Sequence, residues 1–386
     1  MRGGELWTIH SARLINASPR DRLPRLIEST VMNVSLSNGR NDTFLRPVAE
    51  PQIIENAFTE DQRTRLFDVL RREGPWSLIL AQEFTSPEQV IAATSGSLPE
   101  GVEVTWDMFL SPVFRATLGQ GHASLYPEIE DCFLNTKFLD LVRGYWQAKY
   151  ATPNLMLVNI QGPTEAGGPP HVDGTDFRGI NYQNSPSWLI GIMTKSGLFR
   201  RWQAKKAQVL TWYYKGQIGG GFTYWPDGPS GQPKQLYAPM WGRAAVVENE
   251  VMYHGANACG PEDQRRVDGL AINSVIQGDP GSDGWRITTD EKVVHRLSAD
   301  ETRLLVHWGA DIYMDMTEMK VALDHSDDLT QEQVFDIFIS DLRAKGQPFQ
   351  MPNDPLNDPA FTMLLNNIYD PGLPTIMPPE YGVAAE

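Results

Sequence analysis

Cysteine is nearly absent from this sequence: Cys132 and Cys259 are the only two among 386 residues. Two cysteines cannot form a disulfide framework, and their number suits a reducing cytoplasm. The sequence also lacks any apolar run close to the ~20 residues that a membrane-spanning helix needs. Its first residues, Met1–His10, contain no apolar stretch of the kind found in signal peptides. We therefore expect a cytoplasmic protein that does not enter a membrane.

Positive charge is scarce as well. The 33 Lys and Arg residues stand against 48 Asp and Glu residues, so the formal net charge is −15 at pH 7. Nucleic acids and anionic membrane surfaces attract basic proteins, so neither is an expected partner. Aromatic residues concentrate between Trp202 and Trp241, which favours an organic small molecule as the ligand. The sequence carries no signal for an oligomeric state.

Four segments differ in composition along the chain. Residues 1–50 are polar and rich in turn signals, which predicts a peripheral arm. Residues 51–152 contain helical patterns that predict a supporting region packed on a sheet. Residues 153–280 contain short strand patterns separated by glycine and proline, and residues 281–386 return to helical patterns. We expect the four segments to form one compact unit.

Short strands separated by turns are typical of a β-sandwich or jelly roll. The expected fold class is therefore a mostly β core with α additions. The strand candidates are Asn154–Gln161, Trp188–Met193, Ala207–Tyr214, Gly221–Trp225, Ala244–Val247 and Leu270–Ile276. The expected helices are Thr59–Arg71, Tyr126–Tyr150, Ser298–His307 and Leu329–Leu342.

Two histidines and one carboxylate suggest a metal site. His171 and Asp173 lie two positions apart, so on an extended segment their side chains point to the same side. His254 adds a second imidazole from a distant part of the chain. Two imidazoles and one carboxylate leave open positions on an octahedral ferrous ion, a ligand set typical of non-heme Fe(II) oxygenases.

The local sequence supports this interpretation. The apolar run Asn154–Gln161 and the loop Gly167–Pro170 precede His171, and the consecutive prolines of that loop exclude a helix. Gly174 follows the pair and allows the backbone to turn away. The short strand Ala244–Val247 precedes the second histidine. Both histidines are therefore expected at strand edges, where a sheet can hold them.

Arginines and an asparagine are candidates for ligand binding near the metal. A polar turn after the second histidine brings Arg265 and Arg266 to the start of another predicted strand. A guanidinium group can hold a carboxylate through two parallel hydrogen bonds. Asn159, on the strand before the first histidine, is a candidate hydrogen-bond partner of cosubstrate or substrate, with a structural role as the alternative.

With these residues, the chain resembles the Fe(II)/2-oxoglutarate-dependent oxygenases, with spacing like that of phytanoyl-CoA hydroxylases. That family carries H-x-D…H on a double-stranded β-helix, a cupin-like jelly roll. The resemblance implies that His171, Asp173 and His254 bind Fe(II). It also implies that Arg265 binds the far carboxylate of 2-oxoglutarate, with Arg266 as a competitor because a one-residue slip would exchange the two.

The resemblance also indicates a reaction. Halogenating relatives replace the ligand carboxylate with Gly or Ala, whereas Asp173 is intact here. We therefore expect oxidation by O2, most simply hydroxylation of a small organic molecule, with release of succinate and CO2. The resemblance covers residues 53–276 loosely and is specific only at the motif positions.

Two other functions are compatible with the same residues. A cupin-like metal-dependent dioxygenase or hydrolase without a cosubstrate could use the same ligands, since ligand identity alone does not select iron. A binding module that kept the fold without catalysis is the other. Only the 2-oxoglutarate interpretation requires a buried cation beyond the metal.

A basic cluster stands out in this acidic chain, on a segment predicted to connect two strands. Such a run is usually a solvated hairpin, and the alternative is a lid that recognises an anionic substrate. Its residues are Lys195, Arg200, Arg201, Lys205 and Lys206.

Overall fold

A computed structural model describes residues 44–93 and 103–379. The predicted N-terminal arm lies outside the described residues up to residue 43. The strands are β1 Gln52–Ile54, β2 Trp76–Ser77, β3 Val113–Gln120, β4 Ala123–Ser124, β5 Tyr150–Gln161, β6 Lys205–Tyr214, β7 Phe222–Trp225, β8 Lys234–Leu236, β9 Met240–Val247, β10 Tyr253–Ala256, β11 Val275–Gly278, β12 Trp285–Thr289, β13 Lys292–Leu297 and β14 Arg303–Tyr313. The α-helices are α1 Glu60–Glu73, α2 Ile79–Glu83, α3 Pro87–Ala93, α4 Glu130–Phe133, α5 Thr136–Trp146, α6 Ser187–Ser196, α7 Met316–Leu323, α8 Gln331–Ala344 and α9 Pro359–Tyr369.

The main sheet has the strand order β1-β9-β6-β14-β5-β3-β4, and its paired strands are antiparallel. Strand β14 lies at its centre between β5 and β6. Alternate residues of β14, Leu304, Val306 and Trp308, are buried in the largest apolar cluster. Helices α1 and α5 cover this face through residues such as Leu70 and Phe138. Helices α1 and α5 therefore pack on one face of the main sheet.

A smaller sheet, of order β10-β7-β8, covers the opposite face of the main sheet. Leu210 and Trp212 of β6 belong to one buried cluster with Phe222 and Tyr224 of β7 and Leu236 of β8. Because strand side chains alternate, each long strand of the main sheet contributes to both its helix-covered and its sheet-covered side. The predicted mostly β core with α additions is confirmed.

Two further units complete the described structure. Strands β13-β12-β11-β2 form a third sheet. Helices α6, α8 and α9 share a separate apolar cluster that includes Ile190, Phe338 and Leu365. In the ranges 44–93 and 103–379, we find no helix of the length and apolar character needed to cross a membrane.

The strand predicted at Trp188–Met193 is wrong, because these residues lie in helix α6. Leu189, Ile190, Ile192 and Met193 are all buried, so the segment shows no alternation between an inner and an outer side. A short apolar run of this kind is compatible with a buried strand or a buried helix. Packing against α9 and the surrounding helical cluster stabilises the helix.

The helix predicted at Ser298–His307 is also wrong. The capping signal is real: the Ser298 amide donates to Glu301 Oε2 at 2.9 Å, and the Glu301 amide donates to Ser298 Oγ at 3.2 Å. These bonds close a turn, after which the chain extends as β14. The predicted strand at Leu270–Ile276 begins only at Val275.

The main sheet draws on three of the four segments that differ in composition. Strand β3 comes from residues 51–152 and β14 from residues 281–386, on either side of the predicted core. Sheet pairing therefore crosses the boundaries at residues 152 and 280. The later part of the chain supplies the central strand of the sheet as well as helices α7, α8 and α9.

Candidate metal centre

The two histidines of the motif lie opposite each other on neighbouring extended segments. The His171 amide donates to the His254 carbonyl at 3.0 Å, and the His254 amide donates back to the His171 carbonyl at 2.9 Å. His254 lies on β10, so this bridge places His171 beside the edge of the small sheet. The imidazole ring centroids are 4.7 Å apart.

Asp173 faces both imidazoles. Its Oδ1 atom lies 3.6 Å from His171 Nε2 and 3.3 Å from His254 Nε2. The candidate ligand atoms of the three side chains all lie within 4.8 Å of one another. The predicted convergence of these three residues is confirmed, and in the part of the chain that the structure describes no second set of three His, Cys, Asp or Glu residues converges in this way.

Main-chain carbonyls orient both rings. His171 Nδ1 lies 3.1 Å from the Pro169 carbonyl oxygen, and His254 Nδ1 lies 3.0 Å from the Met252 carbonyl oxygen. A neutral imidazole that donates from Nδ1 carries its lone pair on Nε2. Both Nε2 atoms lie near Asp173, and in this tautomer both could bind a metal ion.

The charges of the site favour an ionised carboxylate. Burial acts to raise the pKa of Asp173, but the charges and hydrogen bonds of His254 and His171 outweigh it and hold that pKa well below its usual range. Removal from water acts to lower the pKa of His171, yet the hydrogen bond and charge of Asp173 raise it overall. An anionic carboxylate beside two imidazoles suits a divalent cation.

A tight turn holds the carboxylate in place. The Asp173 amide donates to the Asn249 carbonyl at 3.1 Å, and the Tyr182 hydroxyl donates to the Asp173 carbonyl at 2.6 Å. Gly174 follows with φ of +72°, a conformation that favours glycine. A Cβ atom at Gly174 would lie 2.7 Å from the Tyr182 hydroxyl. Glycine therefore suits the backbone conformation and the limited space at this position.

All six residues predicted to bind metal, cosubstrate or substrate line one cavity of about 2330 Å³. Arg265 donates from Nε and from an Nη atom to the Gly260 carbonyl, at 3.0 and 2.9 Å, and lies 3.3 Å from Glu165. Arg266 is exposed at the rim. Asn159 Oδ1 accepts a hydrogen bond from Arg115 Nε at 3.2 Å.

Arg303 is a cavity residue that the sequence interpretation missed. It is 1% exposed, lies on the central strand β14 and lines the cavity. Its Nε donates to the Gly220 carbonyl at 2.7 Å, and an Nη atom donates to Gln161 Oε1 at 3.3 Å. Arg303 was missed because the sequence analysis assigned Ser298–His307 to a helix. The alternation from Arg303 through Trp308 was the signal that could have revealed it.

His307 is a second missed residue on the same strand. It faces the cavity two positions beyond Leu305. Burial lowers the pKa of His307 to about 4, although the charge of Asp173 opposes the shift. The imidazole is therefore neutral at pH 7, and it lies close enough to Asp173 and His254 for their charges to act on it.

Carboxylates neutralise most of the predicted basic cluster. The cluster is not a hairpin between two strands, since it runs from the end of helix α6 into β6. Its charge is therefore opposed rather than presented as a uniformly positive lid. The pairs are Lys195 with Asp370, Lys205 with Glu318, and Lys206 with Asp176.

No family model matches this sequence, and no curated protein matches it. Solved structures similar in part are 2-oxoglutarate- and iron-linked enzymes. HygX from Streptomyces hygroscopicus, with nickel and 2-oxoglutarate bound, is 10% identical over 68% of this chain and 82% of its own, with a TM-score of 0.32. A 2OG-Fe(II) oxygenase-family oxidoreductase from Burkholderia pseudomallei is 12% identical over 67% of this chain and 95% of its own, with a TM-score of 0.30.

A prolyl-4-hydroxylase from Pseudomonas putida is 10% identical over 69% of this chain and 93% of its own, with a TM-score of 0.32. TM-scores of this size transfer no activity from these proteins to this chain. Evidence for the function lies in the side chains that line the cavity.

Proposed function

We propose that the protein is a non-heme Fe(II)/2-oxoglutarate-dependent oxygenase that hydroxylates a small organic molecule. The convergence of His171, Asp173 and His254 within 4.8 Å is the observation that carries the proposal. In the proposed reaction, the substrate R–H, 2-oxoglutarate and O2 yield R–OH, succinate and CO2. One oxygen atom enters the substrate and the other enters succinate.

The donor set fits a ferrous ion. Two imidazole nitrogens and one carboxylate oxygen occupy one face of an octahedral ion and leave the other face open. When bound, Fe(II) with 2-oxoglutarate supplies the oxidising power by activating O2. The protein's own residues place the ligands: the Pro169 and Met252 carbonyls orient the imidazoles, and the turn at Gly174 orients the carboxylate.

A buried arginine is the proposed binding partner of the cosubstrate. Arg303 lines the cavity on the central strand, and a cation in such a place favours an anionic ligand. Arg303 donates to the uncharged Gly220 and Gly221 carbonyls and to Gln161, whereas Arg265 lies 3.3 Å from the Glu165 carboxylate, which opposes its charge. Arg266 is exposed. We therefore propose that Arg303 pairs with the far carboxylate of 2-oxoglutarate. It takes the role that the resemblance implied for Arg265.

The strand arrangement supports the finer fold assignment. In the main sheet, β9, β6, β14 and β5 are consecutive, and in the small sheet β10, β7 and β8 are consecutive with His171 bridged to β10. We propose that these two four-membered layers form a double-stranded β-helix. The candidate metal site then lies at the open end of the small sheet, where substrate enters from the cavity.

The proposed substrate is a small molecule handled in the cytoplasm. Trp212 and Phe222 line the cavity with ring centroids 5.3 Å apart, which supplies an apolar wall. Asn159, held by Arg115, and His307 supply polar groups on β5 and β14 of the main sheet. A cavity with apolar walls and a few polar groups suits a small organic ligand.

An anaerobic titration tests the proposal. We expect a weak visible charge-transfer band that requires both Fe(II) and 2-oxoglutarate, because a keto acid would chelate a ferrous ion at its open positions. The Asp173→Ala variant, verified as folded by its thermal unfolding, should give no band. Iron binding to the wild type without the band would contradict the proposal and favour the cosubstrate-free metal enzyme.

A further inference from the structure

The two ends of the cavity carry opposite charge. Along β14, the alternate residues Arg303, Leu305, His307 and Asp311 line the cavity. Arg303 and Asp311 lie roughly 27 Å apart along the strand, at ~3.4 Å per residue. The candidate metal ligands Asp173 and His254 line the same cavity. The cosubstrate end is basic, and the far end is acidic.

Three carboxylates surround one ammonium group at the acidic end. Lys206 is paired with Asp176, and it lies opposite Asp311 in the pairing of β6 with β14. Asp311 Oδ1 accepts a hydrogen bond from Asn154 Nδ2 at 2.8 Å. Burial acts to lower the pKa of Lys206, but the charges of Asp176, Asp311 and Glu250 together outweigh it. His122 Nε2 also lies 3.7 Å from Asp311 Oδ2, so the three acids lie near one lysine and one imidazole.

Two buried oxygen atoms beside this cluster lack donors. Glu250 is 4% exposed and accepts from Gln208 Nε2 at 2.9 Å through Oε1. Its Oε2 and the Oε1 of Gln208, also 4% exposed, have no hydrogen-bond partner among the described residues. Both residues line the cavity. Buried polar atoms without partners are costly, so a cationic ligand that ionises Glu250 and donates to both oxygen atoms gains affinity here.

The acids are too dispersed for a second metal ion. In the described ranges, only His171, Asp173 and His254 bring their ligand atoms within 4.8 Å of one another. A primary ammonium on a carbon chain needs no such convergence, because it carries three N–H donors that reach separate acceptors. Burial raises the pKa of Asp311 and raises that of Glu250 to about 8, so the charge of a bound ammonium would favour the ionised form of both acids.

We propose that the cluster Asp176, Glu250 and Asp311 binds a protonated amine of the substrate. The substrate class is therefore a cationic organic amine, held at its ammonium group while another part of the molecule reaches the metal site. The inference rests on the proposed function for the reaction, but the binding itself requires neither metal nor 2-oxoglutarate.

Matched pairs of small molecules test the proposal on the full-length protein as purified. The probes are cyclohexylamine against cyclohexanol, and tryptamine against tryptophol, each pair differing in an amine or a hydroxyl. Binding is followed by saturation-transfer difference NMR at pH 7 and physiological salt. We expect the amines to bind in preference to the alcohols.

Variants separate the cluster from the general negative charge of the protein. Asp311→Asn and Glu250→Gln keep the shape of the side chain and should weaken amine binding about tenfold or more, as expected for loss of a charged hydrogen-bond partner. Asp140→Asn removes an exposed carboxylate that is paired with Arg143 on α5 and should change nothing. Thermal unfolding verifies that each variant is folded.

Three outcomes would overturn the proposal: equal or stronger binding of the alcohols, no binding of either amine, or unchanged amine preference in both cluster variants. The anaerobic Fe(II) and 2-oxoglutarate band is independent of these results. A normal band without amine binding would overturn the substrate class alone, and amine binding without a band would overturn the oxygenase alone.

Discussion

Single residues decide how the candidate ligands are held. The Nδ1 atoms of His171 and His254 contact the carbonyls of Pro169 and Met252, each two residues earlier in the chain. In many metal sites a carboxylate side chain plays this orienting role. Here the ring orientation follows from the backbone, so it depends on the strand edge and the proline loop rather than on a replaceable side chain.

The choice between two arginines is tested at the same scale. We expect Arg303→Lys to weaken 2-oxoglutarate binding by about thirtyfold or more, the usual loss when a buried charge pair loses its geometry. Arg265→Lys should weaken it by far less, since the charge of Arg265 is opposed by Glu165, 3.3 Å away. Titration of the charge-transfer band with 2-oxoglutarate measures both. The opposite order would return the role to Arg265.

A buried carboxyl gives a pH prediction. Burial raises the pKa of Glu248 from 4.5 to about 8. The folded state therefore binds this proton more tightly than the unfolded state. The contribution of Glu248 to the free energy of unfolding is fully present below about pH 4.5 and is lost as the pH rises through about 8. The loss is on the order of 1.4 kcal/mol per pKa unit.

Glu248→Gln removes that ionisation and can still accept the hydrogen bond that the Val48 amide donates to Glu248 at 2.7 Å. Urea unfolding should show the variant more stable than wild type above pH 8 and similar to it at pH 5. The exposed Glu332→Gln serves as the control and should leave the pH profile unchanged. Parallel profiles of wild type and Glu248→Gln would contradict the prediction.

Among the elements, the turn after Asp173 is the most constrained part of the site. Gly174→Ala would force a positive φ on alanine, at a cost of about 1 to 2 kcal/mol, and would push a Cβ atom against the Tyr182 hydroxyl. Because Tyr182 donates to the Asp173 carbonyl, the carboxylate should move and metal affinity should fall about tenfold.

Gly121→Ala is the matched control for that turn. Gly121 also has a positive φ, of +59°, but a Cβ atom there would meet nothing within 4 Å. It should lose stability without losing metal affinity. Calorimetric titration with a divalent metal, together with thermal unfolding, distinguishes the two effects. Equal metal affinity in both variants would show that the turn does not position Asp173.

At the scale of the whole molecule, the sheet depends on β14. A chain that ends at Leu297 would lack this strand, and the main sheet would separate into β1-β9-β6 and β5-β3-β4. We expect such a chain to show no cooperative unfolding transition in urea. A chain that ends at Asp328 keeps every strand of the sheet and loses α8 and α9, so it should retain a transition. Cooperative unfolding of the shorter chain would contradict this view of the sheet.

Local sequence patterns were sufficient to predict those helices and strands whose tertiary contacts favour the same conformation. The helix at Thr59–Arg71 carries its capping box, and β5, β6 and β7 show bounded apolar runs. They were insufficient for α6, which is apolar on several sides, and for β14, whose capping signal closes a turn instead of starting a helix. In both cases, contacts with distant residues outweighed local preference.

The sequence by itself determined the three candidate metal-binding residues. Their chemistry and the period-two spacing of His171 and Asp173 are local properties, and they survive any detail of packing. Only the tertiary structure identified Arg303 as the buried cation and brought Asp176, Glu250 and Asp311 around Lys206. Burial and charge depend on which distant segments pack together, and pairing across a sheet is decided by the whole chain.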